Sequence, residues 1–406
     1  MSPRIFLSPP WMGGAEQTLI EEAFASKYIA PCGPMVDRFE REFAETVGVP
    51  HTCAVSSCTA ALDLLFRDLG VGRGDLVFCS DLTFIASISP ACLRGAVPVF
   101  IDCDFKTWTM DPALLEEALT EASRSGRLPK AVVAVDLYGQ CCDYSCIERI
   151  CARFGVPLII DAAEALGARY FGENSNGAGR EEQNNGHVDK ARRGRHAGAA
   201  GWASVYSFNG NKIVTTSGGG MVASRDAEVV SRARKRSQQS REPAIWYEHV
   251  ELGYNYRMSN ILAAIGVGQL SFLGRIIEKK RQIFDWYKKH LGTASRFDFM
   301  PEAAYGMCTR WLTVAQIESE VGGRRSEVGS PADAVMRVIT ALEKVNIESR
   351  PVWKPMHLQP VFRDAKVYGG RVSEALFNSG FCLPSGTALV EEDVVRICRQ
   401  ILRDAT

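Results

Sequence analysis

The chain has 406 residues, 46% of them hydrophobic, enough for one large domain with a smaller one, or for two or three domains. Its 47 basic and 47 acidic residues cancel, so no global positive field exists to hold nucleic acid or an anionic membrane. No apolar run reaches the roughly 18 residues of a membrane span. The opening Met1-Ser2-Pro3-Arg4-Ile5-Phe6-Leu7 lacks a signal-peptide core. With 13 scattered cysteines, this points to reduced thiols and a cytoplasmic location. Cys141, Cys142, Cys146 and Cys151 lie close together without CxxC spacing, and no metal site is expected.

In chain order, His51 to Val55 reads as a strand and Cys58 to Leu69 as a helix ended by Gly70. Leu76 to Ser80, Val97 to Asp102, Ala131 to Val135 and Val156 to Ile160 are strand-like, with Ile147 to Phe154 helical. Trp202 to Phe208 and Met221 to Ala223 are further strands. Continuous apolar strands alternating with helices predict a large, mostly parallel sheet covered on both faces, an α/β fold. Asn260 to His290 reads as one long helical stretch joining two domains, a large one over 1–270 and a small C-terminal α+β one over 271–406. Glu173 to His196 is rich in Gly, Asn, Arg and Glu and offers almost nothing to a core. It is expected to be a mobile surface insertion, with a lid as the minority reading. Glu318 to Ser330 reads the same way, and there is no internal repeat.

Two residues carry the chemistry. Lys212 ends Ser207-Phe208-Asn209-Gly210-Asn211-Lys212, ahead of the run Ser217-Gly218-Gly219-Gly220. Asp161 closes a predicted parallel strand, beyond whose carboxyl end ligands bind in open α/β sheets. A lysine able to form a Schiff base and an acid able to keep a pyridine nitrogen protonated are what pyridoxal phosphate requires of a protein. Taken singly, Asp161 could equally cap a following helix. Most lysines, moreover, are surface charges. Ser56-Ser57-Cys58-Thr59-Ala60-Ala61 lies at a strand-to-helix junction, where free N–H groups bind anions and small hydroxyl residues cap. Phe84 could stack on a cofactor ring or belong to the core. Gly70-Val71-Gly72-Arg73-Gly74 runs from helix to strand, the reverse of a dinucleotide fingerprint, and reads as a turn.

Together these motifs resemble the DegT/DnrJ/EryC1/StrS aminotransferases, pyridoxal-phosphate enzymes of nucleotide-sugar biosynthesis. The resemblance runs from Trp11-Met12-Gly13-Gly14 through Asp136-Leu137-Tyr138-Gly139-Gln140, Asp161–Gly167, Ser207–Gly220 and Gly253-Tyr254-Asn255-Tyr256-Arg257-Met258-Ser259-Asn260 to Cys382-Leu383-Pro384-Ser385-Gly386-Thr387. It implies the fold of type I pyridoxal-phosphate transferases. It also implies Lys212 as the Schiff-base lysine, Asp161 as partner of the pyridinium, Glu164 near the ring hydroxyl and Phe84 at the ring face. Thr59, Ala60 and Ser207 would hold the phosphate, joined by Asn255 of the neighbouring subunit in a homodimer with composite sites. Arg257, Trp353, Lys354 and His357 would contact the nucleotide sugar. The Asn-Gly-Asn-Lys and Trp-Lys-Pro-Met-His versions look most like the branch that aminates UDP-4-keto-6-deoxy-N-acetylglucosamine in the bacillosamine pathway, with L-glutamate as donor. GDP- or dTDP-linked sugars are the alternative. The family's sugar dehydratases carry histidine in place of the lysine, and a non-catalytic relative would have lost Lys212 or Asp161. Cys58 stands where the family has glycine, which is expected to crowd the phosphate turn.

Overall fold

Ala131–Val135 is buried at every position, which only an interior strand covered on both faces allows. It lies in the middle of an eight-stranded sheet. In spatial order the strands are His51–Val55, Gly220–Ser224, Ala203–Ser207, Leu158–Asp161, Ala131–Val135, Leu76–Ser80, Val97–Ile101 and Lys366–Tyr368. Gly220–Ser224 is the one antiparallel member; the remaining strands run the same way. The computed structural model describes residues 3–172, 194–292, 294, 296–317, 320–321, 324–325 and 331–404.

The period of two along each strand divides the core into two layers. Ala54, Phe78, Val132, Ala134, Ile160 and Met221 face one layer, while Cys53, Val55, Val77, Cys79, Val133 and Val205 face the other. Helices cover both faces, with starts and stops written locally. Pro34–Val47 has proline at its first turn and ends at left-handed Gly48. Cys58–Asp68 is capped by Ser57 and Tyr144–Phe154 by Asp143.

A second, antiparallel sheet holds Phe297–Phe299, Thr313–Ile317, Gly380–Leu383 and Arg350–Pro351. Its core is shared with the helices Leu273–Leu291, Pro331–Lys344 and Glu391–Asp404. The expected boundary at residue 270 is not clean, because Lys366–Tyr368 crosses back to extend the large sheet beside Val97–Ile101. The long helix expected from Asn260 to His290 is two, Asn260–Leu270 and Leu273–Leu291, bent by 63°. The break falls where Ser271 bonds back to the Gly268 carbonyl and Phe272 leaves helical geometry to pack on Trp11.

Most of the insertion expected at 173–196 lies outside the described residues, but its last part is structural. Arg195–His196 pairs with Arg169–Tyr170, and His196 is buried. There His196 Nε2 accepts from the Gly167 amide and Nδ1 donates to the Ala197 carbonyl. Of Glu318–Ser330, the short pair Glu320–Val321 and Arg324–Arg325 is described.

Candidate active site

The carboxyl ends of the parallel strands open onto a cavity of about 340 Å³. Asp161, the last residue of its strand, forms the floor and is almost fully buried. No helix follows it, so it is not a helix cap. Its Oδ2 accepts from Ser87 Oγ at 2.7 Å and its Oδ1 from the Ala163 amide at 3.1 Å. Burial pushes the carboxyl up from its ordinary value, while Ser87, the Ala163 amide and Lys212 pull it down.

Lys212 enters from the loop after Ala203–Ser207. Its Nζ lies 4.0 Å from Glu164 Oε1 and 4.2 Å from the centre of the Trp311 ring. The loop is pinned by Trp311 Nε1, which donates to the Asn211 carbonyl at 2.7 Å. Glu164 is buried and serves as a hub. Its Oε2 accepts from the Tyr138 amide at 2.9 Å and its Oε1 from Trp353 Nε1 at 3.2 Å. Burial raises this carboxyl too, against the pull of Lys212. Tyr138 stands between two indoles, with ring centres 6.2 Å from Trp353 and 6.4 Å from Trp311, both nearly parallel. Its backbone is held at φ 50°, uncommon for a residue with a side chain, and the Glu164 bond to its amide helps hold it there.

The opposite end is the N-terminus of helix Cys58–Asp68. Ser57 Oγ accepts from the Ala60 amide, so Ser57 caps and the Ala60 N–H is already used. Gly220 lies against this turn so closely that a Cβ there would sit 2.5 Å from Cys58 N. The glycine run thus brings the backbone onto the helix end. Cys58 does not crowd the turn as expected: its backbone is helical, and its Sγ turns aside to lie 3.9 Å from Asp161 Oδ1. Its thiol is pushed up by burial and by Asp161. A buried acid, a lysine across the cavity, an anion-binding helix end with Thr59 and Ser207, and the aromatic faces of Phe84 and Trp353 make a set that fits pyridoxal 5'-phosphate.

A model of the DegT/DnrJ/EryC1/StrS aminotransferase family matches residues 10–402. The chain belongs to this family. It is 46% identical to EpsN of Bacillus subtilis (strain 168), covering 99% of this chain and 96% of that one. EpsN is named provisionally as a pyridoxal phosphate-dependent aminotransferase. It is 32% identical to the GDP-perosamine synthase of Caulobacter vibrioides, over 97% of this chain and 96% of that one. Among solved structures, the aminotransferase TlmJ from Streptoalloteichus hindustanus superposes with a TM-score of 0.84 at 27% identity, covering 99% and 98% of the two chains. The protein is therefore a pyridoxal phosphate-dependent aminotransferase, with the mixed α/β fold expected for this family.

Of the family positions read from sequence, Thr59, Phe84, Asp161, Glu164, Ser207, Lys212 and Trp353 line one cavity. Others do not reach it. Ala60 is buried beneath the cap. Arg257 is buried in an ion pair with Glu40 and donates to the Ala54 carbonyl at 2.8 Å, so it anchors the chain rather than facing a ligand. His357 is held off the cavity by Asp81, which accepts from its Nδ1 at 2.7 Å and its amide at 3.0 Å. That bond, chiefly, raises the imidazole above its ordinary value. Lys354 is half-buried, and Asn255, expected to serve the neighbouring subunit rather than its own, is exposed. Sequence reasoning missed Trp311 and gave no role to Tyr138 or Ser87. Tyr138 falls within the Asp136–Gln140 motif and Ser87 lies three residues after Phe84; nothing local marks Trp311.

Proposed function

We propose that the protein moves an amino group from L-glutamate to C4 of a nucleotide-linked 4-keto-6-deoxy sugar, with a UDP-4-keto-6-deoxy-N-acetylhexosamine as acceptor. The observation that carries the reaction class is Lys212 and Asp161 lining one cavity whose far end is a helix N-terminus. Pyridoxal 5'-phosphate, when bound, supplies the electron sink for the substrate carbon that loses its proton. Asp161 keeps a proton on the pyridine nitrogen, which requires the carboxylate to be ionised. Lys212 Nζ would hold the cofactor's aldehyde carbon and, as a free amine, would carry the proton to and from the substrate. Thr59 and Ser207, which line the cavity at the helix end, would hold the phosphate. Trp353 and Phe84, with ring centres 5.3 Å apart, screen the reacting atoms from water.

A second cavity of about 370 Å³ adjoins the first, sharing Asn211, Trp311 and Trp353 and walled by Phe6 to Pro10. It gives the sugar nucleotide room beside the cofactor. The UDP reading rests on the Asn-Gly-Asn-Lys and Trp-Lys-Pro-Met-His motifs. A GDP-linked acceptor is the second reading, favoured by the likeness to GDP-perosamine synthase. We further infer a homodimer in which Asn255 completes the partner's phosphate site. Asn255 closely follows in sequence a segment that exposes Ile245, Trp246, Tyr247, Val250 and Leu252, large apolar side chains of the kind that mark an interface. Incubation with glutamate and a panel of UDP-, GDP- and dTDP-linked 4-keto sugars, read by product mass, tests the acceptor. Amination of none of them overturns the reaction. Co-expressed Lys212→Ala and Asn255→Ala chains test the shared site, since one intact site per heterodimer should restore activity that neither variant has alone.

A further inference from the structure

Asp161 has a difficult task. It must stay ionised where almost no water reaches, and two buried acids near it, Glu164 and Asp136, oppose that. The Cys58 thiol, kept neutral by burial, is a weak, long donor to Oδ1 at 3.9 Å. The Lys212 ammonium favours its charge. A buried carboxylate is stable only when its oxygens are supplied with donors. The Ala163 amide supplies Oδ1 at 3.1 Å, and the shorter bond, 2.7 Å from Ser87 Oγ, supplies Oδ2.

Ser87 does not stand alone. Its Oγ lies 2.8 Å from Thr83 Oγ1, and both side chains are buried, at 2% and 1% exposure. The direction of this chain is set by chemistry. An ionised carboxylate can only accept, so the single Ser87 hydroxyl proton goes to Asp161. Ser87 Oγ must then accept from Thr83. The alternative acceptor for Thr83, the Phe84 carbonyl, is farther off at 3.4 Å. The 3-10 turn Ile85–Ser87, which follows the strand Leu76–Ser80, fixes both hydroxyls on one side of the cavity floor.

We propose that Ser87, oriented by Thr83, is a positioning residue that holds Asp161 ionised and aimed at the pyridine nitrogen of the cofactor. The inference rests on the role given to Asp161 above. Losing the Ser87 donor leaves Oδ2 without its closest partner, so the carboxyl takes up a proton at higher pH and its grip on a protonated ring weakens.

Pyridoxamine 5'-phosphate is the probe, because it forms no bond to Lys212 and its affinity reports the non-covalent contacts alone. Binding to cofactor-stripped full-length protein is measured by quenching of tryptophan fluorescence from pH 5.5 to 8.5. Ser87→Ala is expected to weaken binding about tenfold at neutral pH, the loss of one hydrogen bond to a charged group. It should also move the acid-side fall in affinity up by about one pH unit. Ser87→Thr, which keeps the hydroxyl, should restore both. Thr83→Val, which removes only the orienting donor, should shift both the same way by less. Wild-type affinity and midpoint in Ser87→Ala, beside an Asp161→Asn protein that binds poorly, would overturn the relay while leaving Asp161 in place. Wild-type binding by Asp161→Asn would overturn the relay together with the reading it rests on.

Discussion

The floor of the cavity and its aromatic wall are built in opposite ways. The floor is local: Asp161 ends a strand, Ser87 lies in the turn that follows another, and Ser57 caps the helix after a third. The wall is assembled from afar. Glu164 joins the Tyr138 amide to the Trp353 indole, residues 215 positions apart in sequence, and Trp311 covers Lys212 from yet another segment. A floor fixed by sheet ends is held by the backbone of the large sheet, which suits the cofactor. A wall contributed by the C-terminal part of the chain can differ between relatives that share the floor, which suits the choice of substrate.

Removing Lys212, which lies between the two, should have the largest effect. Lys212→Ala is expected to lose roughly 100- to 10,000-fold in transfer rate, the range for a positioned proton carrier. It should also lose the visible absorbance of the cofactor-loaded protein. A glutamate-dependent transaminase assay, with circular dichroism to verify folding, measures both. Normal turnover would remove Lys212 from the chemistry.

The floor comes next. Asp161→Asn keeps the shape and an acceptor for the Ala163 amide, but a neutral amide cannot keep a pyridine nitrogen protonated. A fall of roughly 100- to 1,000-fold in kcat is expected, comparable to removing one preorganised electrostatic contact. A merely structural Asp161, holding its turn through the Ala163 amide, would tolerate asparagine, and near-wild-type kcat would favour that reading.

The wall should respond more gently and in a different parameter. Glu164→Gln leaves one oxygen where two N–H donors need acceptors, so either Tyr138 or Trp353 faces an amide N–H instead. An unsatisfied buried donor costs about 1–3 kcal/mol. That cost should appear as a roughly tenfold rise in KM for the sugar nucleotide with a smaller change in kcat. A pure kcat defect would place Glu164 with the floor.

The same contrast explains what was legible in the sequence. Strands such as Leu76–Ser80 and Ala131–Val135 were readable to the residue because their apolar runs are bounded by turn signals and buried on both faces. Asp161 and Lys212 were readable because one ends such a strand and the other follows one at short range. Arg257 was misplaced because a motif position does not reveal that Glu40, 217 residues away, would claim its guanidinium. The break at Ser271–Phe272 was hidden for the same reason: apolar periodicity continues across it, and the bend answers to a distant Trp11. Long-range partners decide the wall, and composition and spacing carry no record of them.

The smallest effect concerns what supports the wall from behind. Lys280 is 3% exposed, and its Nζ donates at 3.0 Å to the carbonyls of Trp311 and Ser385. No carboxylate bonds to it among the described residues, and burial alone pushes its ammonium down to about 7. The unfolded chain keeps a lysine protonated to about pH 10.4. Between about 7 and that value the unfolded state therefore binds more protons than the folded one, and the Lys280 contribution to stability rises with pH by up to about 1.4 kcal/mol per unit. Below about pH 7 the folded state carries the buried charge at full cost. Lys280→Met removes this slope and leaves the two carbonyls without their donor. Urea midpoints at fixed protein concentration should therefore lie closest to wild type near pH 6, where the removed charge offsets the lost bonds, and fall progressively behind toward pH 9. Parallel wild-type and Lys280→Met curves would mean that Lys280 stays fully protonated in the folded protein, its charge supported by the two carbonyls that position Trp311.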